Sequence, residues 1–179
     1  MSMAGDKMKI KLSFLVLIIA SALLVSGASA FDSHDLNIDV QADGSAVINY
    51  DYSLSWGESI AFALFPNKEG ILKGGLTDAF GDGAEVLDLS SKGVSFKIPG
   101  FAKVISGNNT AYKTPSLPYD KVESYTKKFS GNNALIGAYI PESDRLVPDK
   151  TTITFPDGFT ETYNKPYPDG KLPSVTHTV

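Results

Sequence analysis

His34 and His177 are the only histidines in the chain, and imidazole is the side chain best placed to bind a metal or move a proton near neutral pH. They stand near opposite ends of the sequence. If the terminal strands pair, the two rings become neighbours, and Asp32 or Asp35 could complete a site of two histidines and one carboxylate. The plainer alternative is a pair of terminal histidines facing water. A second cluster is acidic. Asp78, Asp82, Glu85 and Asp88 surround Gly81-Asp82-Gly83 and invite a calcium reading. With Asp78 as loop position 1, however, Phe80 falls at position 3 and Leu89 at position 12, where an EF-hand needs oxygen ligands. Only a looser site on Asp78, Asp82 and Glu85 stays open, against a helix end followed by a polar turn.

Other chemistries find less support. No G-x-S-x-G is present, and the closeness of Ser33 and Ser174 to histidines in sequence carries no geometry. Paired carboxylates for glycan hydrolysis are allowed by 20 Asp and Glu residues, yet many short strands leave little room for a deep saccharide cleft. Gly70-x-x-x-Gly74-Gly75 lacks the Lys-Ser/Thr that a phosphate loop requires. With Arg145 as the single arginine and a net charge of −4, the chain repels phosphate backbones, so no nucleic-acid partner is expected. There is no cysteine, which excludes disulfides and thiolate metal sites. No cofactor is implied. Asn108-Asn109-Thr110 is a sequon, which makes Asn108 a glycosylation candidate in an exported protein.

Export is what the first thirty residues announce. Lys7, Lys9 and Lys11 form a basic region. Leu12 to Val25 follow as an apolar run interrupted only by serines. Ala28-Ser29-Ala30 then offers small residues where a signal peptidase accepts them, which places cleavage after Ala30. The run is shorter than the roughly 20 residues needed to span a bilayer, so an uncleaved anchor is the lesser alternative. Residues 31–179 are expected to form one exported domain, with a possible subdomain boundary near 115–118. Contact with the membrane is expected only through the leader. A body of this length can be stable on its core alone, without disulfides.

Period-2 alternation marks the strands that position everything else. Leu36, Ile38 and Val40 alternate with polar residues, as do Ile48, Tyr50, Tyr52, Leu54 and Trp56. Asp43-Gly44 between them signals a hairpin. The second arm is read as running on through Ile60, Phe62 and Leu64 after a bend at Gly57. The shared phase of Tyr50, Tyr52 and Trp56 assigns all three to the core. Pro66-Asn67 breaks this strand. Leu72, Leu76, Ala79 and Phe80 share one face of a helix over 67–80 capped by Asn67. Strands are expected at Glu85–Leu89, Val94–Ile98, Ala102–Ser106 and Thr110–Thr114. A second helix follows over Pro118–Phe129, then a strand at Ala134–Ile140 and a polar loop from Pro141 to Lys150. Thr151–Phe155 and Phe159–Tyr163 flank Pro156-Asp157-Gly158 as a second hairpin, and Lys171–Val179 closes the chain as a strand. The fold class is α+β: a mainly antiparallel sheet with two helices packed on one face.

The first hairpin with Asp43-Gly44-Ser45-Ala46, the stretch from Trp56 to Glu69, and the closing segments Thr151–Gly158 and Leu172–Thr178 resemble small exported proteins of methanogenic archaea. The resemblance implies a compartment and a surface-associated, non-catalytic role, and assigns no catalytic residue. The functional expectation is a secreted or cell-surface binding or structural module recognising an extracellular protein or glycan. The alternatives are a small secreted, glycan-directed hydrolase using carboxylates, and a calcium- or zinc-binding surface module.

Overall fold

The computed structural model describes residues 31–64, 67–80, 82–121 and 143–179. The expected leader with its cleavage after Ala30 and the strand Ala134–Ile140 lie outside these residues, as does the helix Pro118–Phe129 beyond Lys121. What is described is mainly β. Strand β1 (Asp32–Val40) and β2 (Ala46–Ser53) form the first hairpin, followed by helices α1 (Trp56–Leu64) and α2 (Lys68–Phe80). Then come β3 (Glu85–Ser90), β4 (Gly93–Ile98), β5 (Lys103–Ile105) and β6 (Ala111–Lys113). After the undescribed segment, β7 (Lys150–Thr154) and β8 (Thr160–Asn164) make the second hairpin and β9 (Thr176–Thr178) ends the chain. Single 3-10 turns occupy Tyr119–Lys121, Ser143–Leu146 and Pro168–Gly170.

Six strands form a mixed sheet in the order β3-β4-β2-β1-β7-β8, and β5-β6-β9 form a smaller antiparallel sheet. Among the described strands only β1 and β7 run parallel, with Leu36 opposite Thr151 and Ile38 opposite Ile153. The alternation dictates the faces. Leu36, Ile38, Val40, Ile48, Tyr50, Phe96, Ile98 and Ile153 are buried on one side. On the other, the register lines up Thr162, Thr152, Asn37, Asn49, Ser95 and Asp88, one residue per strand. One apolar face and one polar face is the usual division of such a sheet. Phe62 of α1, Leu72 and Leu76 of α2, and Tyr112, Leu117, Leu172 and Val175 of the smaller sheet and its connections join the same core. Each fully buried leucine or phenylalanine contributes about 1.5–3 kcal/mol. The expected boundary at 115–118 falls within this packing, where the buried Leu117 bridges Leu172.

Three expectations need correction. Residues 56–64 are helical rather than a continuation of β2, so a further helix precedes the one expected at 67–80, which spans Lys68–Phe80. Ile60, Phe62 and Leu64 alternate, which mimics a strand, but Trp56, Ile60 and Leu64 also stand at i, i+4 and i+8. Ser55-x-x-Glu58 is a capping-box spacing, and Ser59 N–H donates to the Ser55 carbonyl at 2.9 Å as the helix opens. Trp56 is therefore on a helix, 83% exposed, while Tyr50 and Tyr52 are buried as expected. Finally, β1 is longer than the alternation suggested. It extends back to Asp32 through an irregularity between Ser33 and Leu36 that hides its start from a period-2 reading.

Candidate functional site

The structure separates the candidate ligands. β1, which carries His34, and β9, which carries His177, belong to different sheets. His34 Nε2 lies 3.1 Å from Ser53 Oγ, a cross-strand contact at the surface. A serine–histidine pair suggests a nucleophile and base, but that chemistry also needs a group orienting the second ring nitrogen, and none is found among the described residues. His177 Nε2 lies 2.8 Å from Asp157 Oδ2. Its ring stacks on Phe159 with centroids 4.2 Å apart and planes at 7°, and Phe155 stands 5.0 Å away. This contact, and the Phe159 N–H donating to Asp157 Oδ1 at 3.1 Å, hold the Asp157 carboxyl below the usual carboxylate range, His177 being the larger cause.

The acidic stretch is spread over a helix end, a turn and a strand. Asp78 sits in the last turn of α2, Asp82 is exposed in the following turn, and Glu85 is exposed at the start of β3, opposite Lys97. Among the described residues no three His, Asp or Glu side chains gather as metal ligands. Asn108 is exposed in the turn between β5 and β6, open to a modifying enzyme.

A cleft of 430 Å³ opens beside the start of β1, lined by Asp32, His34, Asp144, Arg145, Asp149 and Lys165 among others. Its charges are mixed and largely matched. Lys165 Nζ lies 3.0 Å from Asp144 Oδ1 and donates to the Asp144 carbonyl at 2.8 Å. Arg145 lies 3.7 Å from Asp32. A glycosidase acid needs an apolar surrounding that keeps its carboxyl protonated. The acids here face cations and water instead, Asp144 with most of its side chain exposed.

Behind the cleft, buried tyrosines hold the 146–148 backbone. Tyr50 Oη donates to the Leu146 carbonyl at 3.1 Å, and Tyr167 Oη donates to the Pro148 carbonyl at 2.9 Å. Thr151 Oγ1 links Tyr167 at 2.8 Å to Tyr119 at 3.2 Å. Burial raises all three phenols, Tyr167 to about 12. Groups held this firmly neutral and hydrogen-bonded act as struts for the cleft wall.

The surface feature most in need of explanation is α1. Phe62 turns into the core, and Lys68 clamps it there, its ammonium 4.8 Å from the ring centre and donating to the Phe62 carbonyl at 3.2 Å. Away from the core, Trp56 is 83% exposed, Ile60 42% and Leu64 77%. Three large apolar side chains thus share one outward stripe. Reading 56–64 as a strand hid this, because an alternating phase places Ile60 and Leu64 beside Phe62. The signal available was the helical spacing together with Ser55 and Glu58. No protein-family model, curated protein or solved structure matches the chain.

Proposed function

We propose that the protein is an exported, cell-surface binding module without catalytic chemistry, and that it holds an extracellular protein through the outward stripe of α1. The exposure of Trp56, Ile60 and Leu64 carries this reading. Contiguous apolar surface marks interaction sites, tryptophan is enriched among residues that dominate binding energy, and anchors at i, i+4 and i+8 suit a helix laid into an apolar groove. Burying each side chain there would return about 1.5–3 kcal/mol. A glycan would need polar groups beside the indole, whereas the stripe continues from it through Ile60 and Leu64. The basic, apolar and A-x-A sequence of residues 1–30, and the resemblance to exported archaeal proteins, support the compartment.

Trp56 is the only tryptophan in the chain, so selectively excited tryptophan emission reports this site alone within the protein. Addition of an envelope preparation from the host is expected to shift the emission to the blue and to shield the indole from iodide. The double variant Ile60→Ser/Leu64→Ser should lose both effects while unfolding at a similar temperature. Unchanged emission of the wild type, together with turnover in a screen of peptide, ester and glycan substrates, would overturn the reading.

A further inference from the structure

The two outer strands of the six-stranded sheet are built differently. β3 is guarded: its pairing with β4 is broken between Val86 and Asp88, and Glu85 and Asp88 put charge along it. Bulges and charges are the devices that keep sheet edges from pairing with other chains. β8 has none of the geometric ones. Its register with β7 is unbroken from Thr160 to Asn164, the strand contains no proline or lysine, and no described strand pairs with its outer side. We propose that β8 is a self-association edge, on which a second copy of this chain adds its own β8 antiparallel to make one continuous sheet of two copies.

The hydrogen-bond phase supports this. Phe155 N–H donates to the Phe159 carbonyl, and Lys165 N–H to the Asp149 carbonyl, each at 2.8 Å. Bonded pairs alternate along an antiparallel ladder, so Glu161 and Tyr163 spend their backbone groups on β7. Thr160, Thr162 and Asn164 turn theirs outward. A two-fold axis at Thr162 sets Thr162 opposite Thr162 of the second copy and Thr160 opposite its Asn164. All three outward-facing residues then exchange both backbone bonds. On the other face the same axis sets Glu161 opposite Tyr163 of the second copy. Within one chain Tyr163 Oη already donates to Glu161 Oε1 at 3.3 Å, so the hydroxyl and carboxylate that meet across the axis are a compatible donor and acceptor, and no two carboxylates are directly opposed. A partner strand of unrelated sequence would not be matched by this symmetry.

The test uses the chain expressed from its full sequence and purified in the form its host leaves. Sedimentation velocity should show a monomer–dimer equilibrium that shifts toward dimer with concentration. Thr162→Lys sets two ammonium groups on the axis through an exposed side chain, and should leave only a monomer that still unfolds cooperatively, its melting temperature matching that of the wild type diluted to monomer. Because the chain has no cysteine, Thr162→Cys reports the axis directly. Mild oxidation should convert it to a covalent dimer at least tenfold faster than Asn108→Cys on the β5–β6 turn. A wild type that stays monomeric throughout would overturn the proposal. So would cross-linking no faster than the control, or a dimer that survives Thr162→Lys and is lost in Trp56→Ser.

Discussion

The β1–β2 and β7–β8 hairpins close with the same turn and use it for opposite purposes. In Gln41–Ser45, the Gln41 N–H donates to the Ser45 carbonyl at 2.8 Å and the Gly44 N–H returns to Gln41 at 2.9 Å. In Phe155–Phe159, the Phe155 N–H donates to the Phe159 carbonyl and the Gly158 N–H returns to Phe155, at 2.8 and 2.9 Å. Each glycine has positive φ, 80° and 86°, and each aspartate accepts from the N–H two residues on. The surroundings then diverge. Gly44 is packed against the link between β4 and β5: its carbonyl accepts from Ala102 N–H at 2.8 Å, and a methyl group in its place would stand 2.6 Å from the Ala102 carbonyl oxygen. Nothing lies within 4 Å of such a group at Gly158. There the smaller sheet is met by side chains, His177 on Phe159 and Asp157. One turn joins the sheets through backbone and the other through rings and charge.

The largest expected effect separates the two glycines. Gly44→Ala combines the left-handed penalty of about 1–2 kcal/mol with an overpacking cost of about 1–3 kcal/mol, for an expected loss near 3 kcal/mol in urea unfolding. Gly158→Ala carries the conformational term alone, about 1 kcal/mol. Equal losses at the two positions would break the distinction.

Both turns are legible in the sequence, because Asp-Gly between alternating arms specifies them from a few residues. What distinguishes them is not, since Ala102 and His177 reach each turn from distant parts of the chain. The same limit hid the parallel pairing of β1 with β7, which joins residues more than a hundred positions apart. It also hid the cleft between the start of β1 and the 143–149 turn. Helix α1 is a different kind of miss. Its apolar residues satisfy a period of 2 and a period near 3.6 at once, and only the cap at Ser55 decides between them.

A smaller effect is expected from the ring stack. Phe159→Ala removes the partner on which His177 lies and should cost about 1 kcal/mol. The comparison is sharpened by where the loss appears. Hydrogen exchange should quicken at the Val179 amide, which donates to the Thr110 carbonyl at 2.8 Å, while the amides of β2 and β4 keep their protection. Gly44→Ala should instead raise exchange across both sheets. Uniform acceleration in Phe159→Ala would show that the side-chain link is as global as the backbone one.

The smallest effect lies in the acid limb. Asp43 and Asp157 both have carboxyls held below the ordinary range, the first chiefly by the Ser45 hydroxyl and N–H, the second chiefly by His177. A carboxyl lowered on folding binds fewer protons in the native state than in the unfolded one. Its contribution is therefore present above the ordinary carboxylate range and lost as pH falls through the lowered native value. For Asp43 the donor is two residues away and can meet the carboxylate in an unfolded chain as well, which shrinks the difference between states. For Asp157 the leading partner is twenty residues away, in the other sheet, and is met only on folding. Asn at either position keeps an acceptor for the turn and removes the titration. Asp157→Asn should therefore flatten the fall in stability below about pH 4 more than Asp43→Asn does, measured as urea midpoints against pH. A larger flattening from Asp43→Asn would mean that the local turn, rather than the contact between sheets, supplies the acid sensitivity.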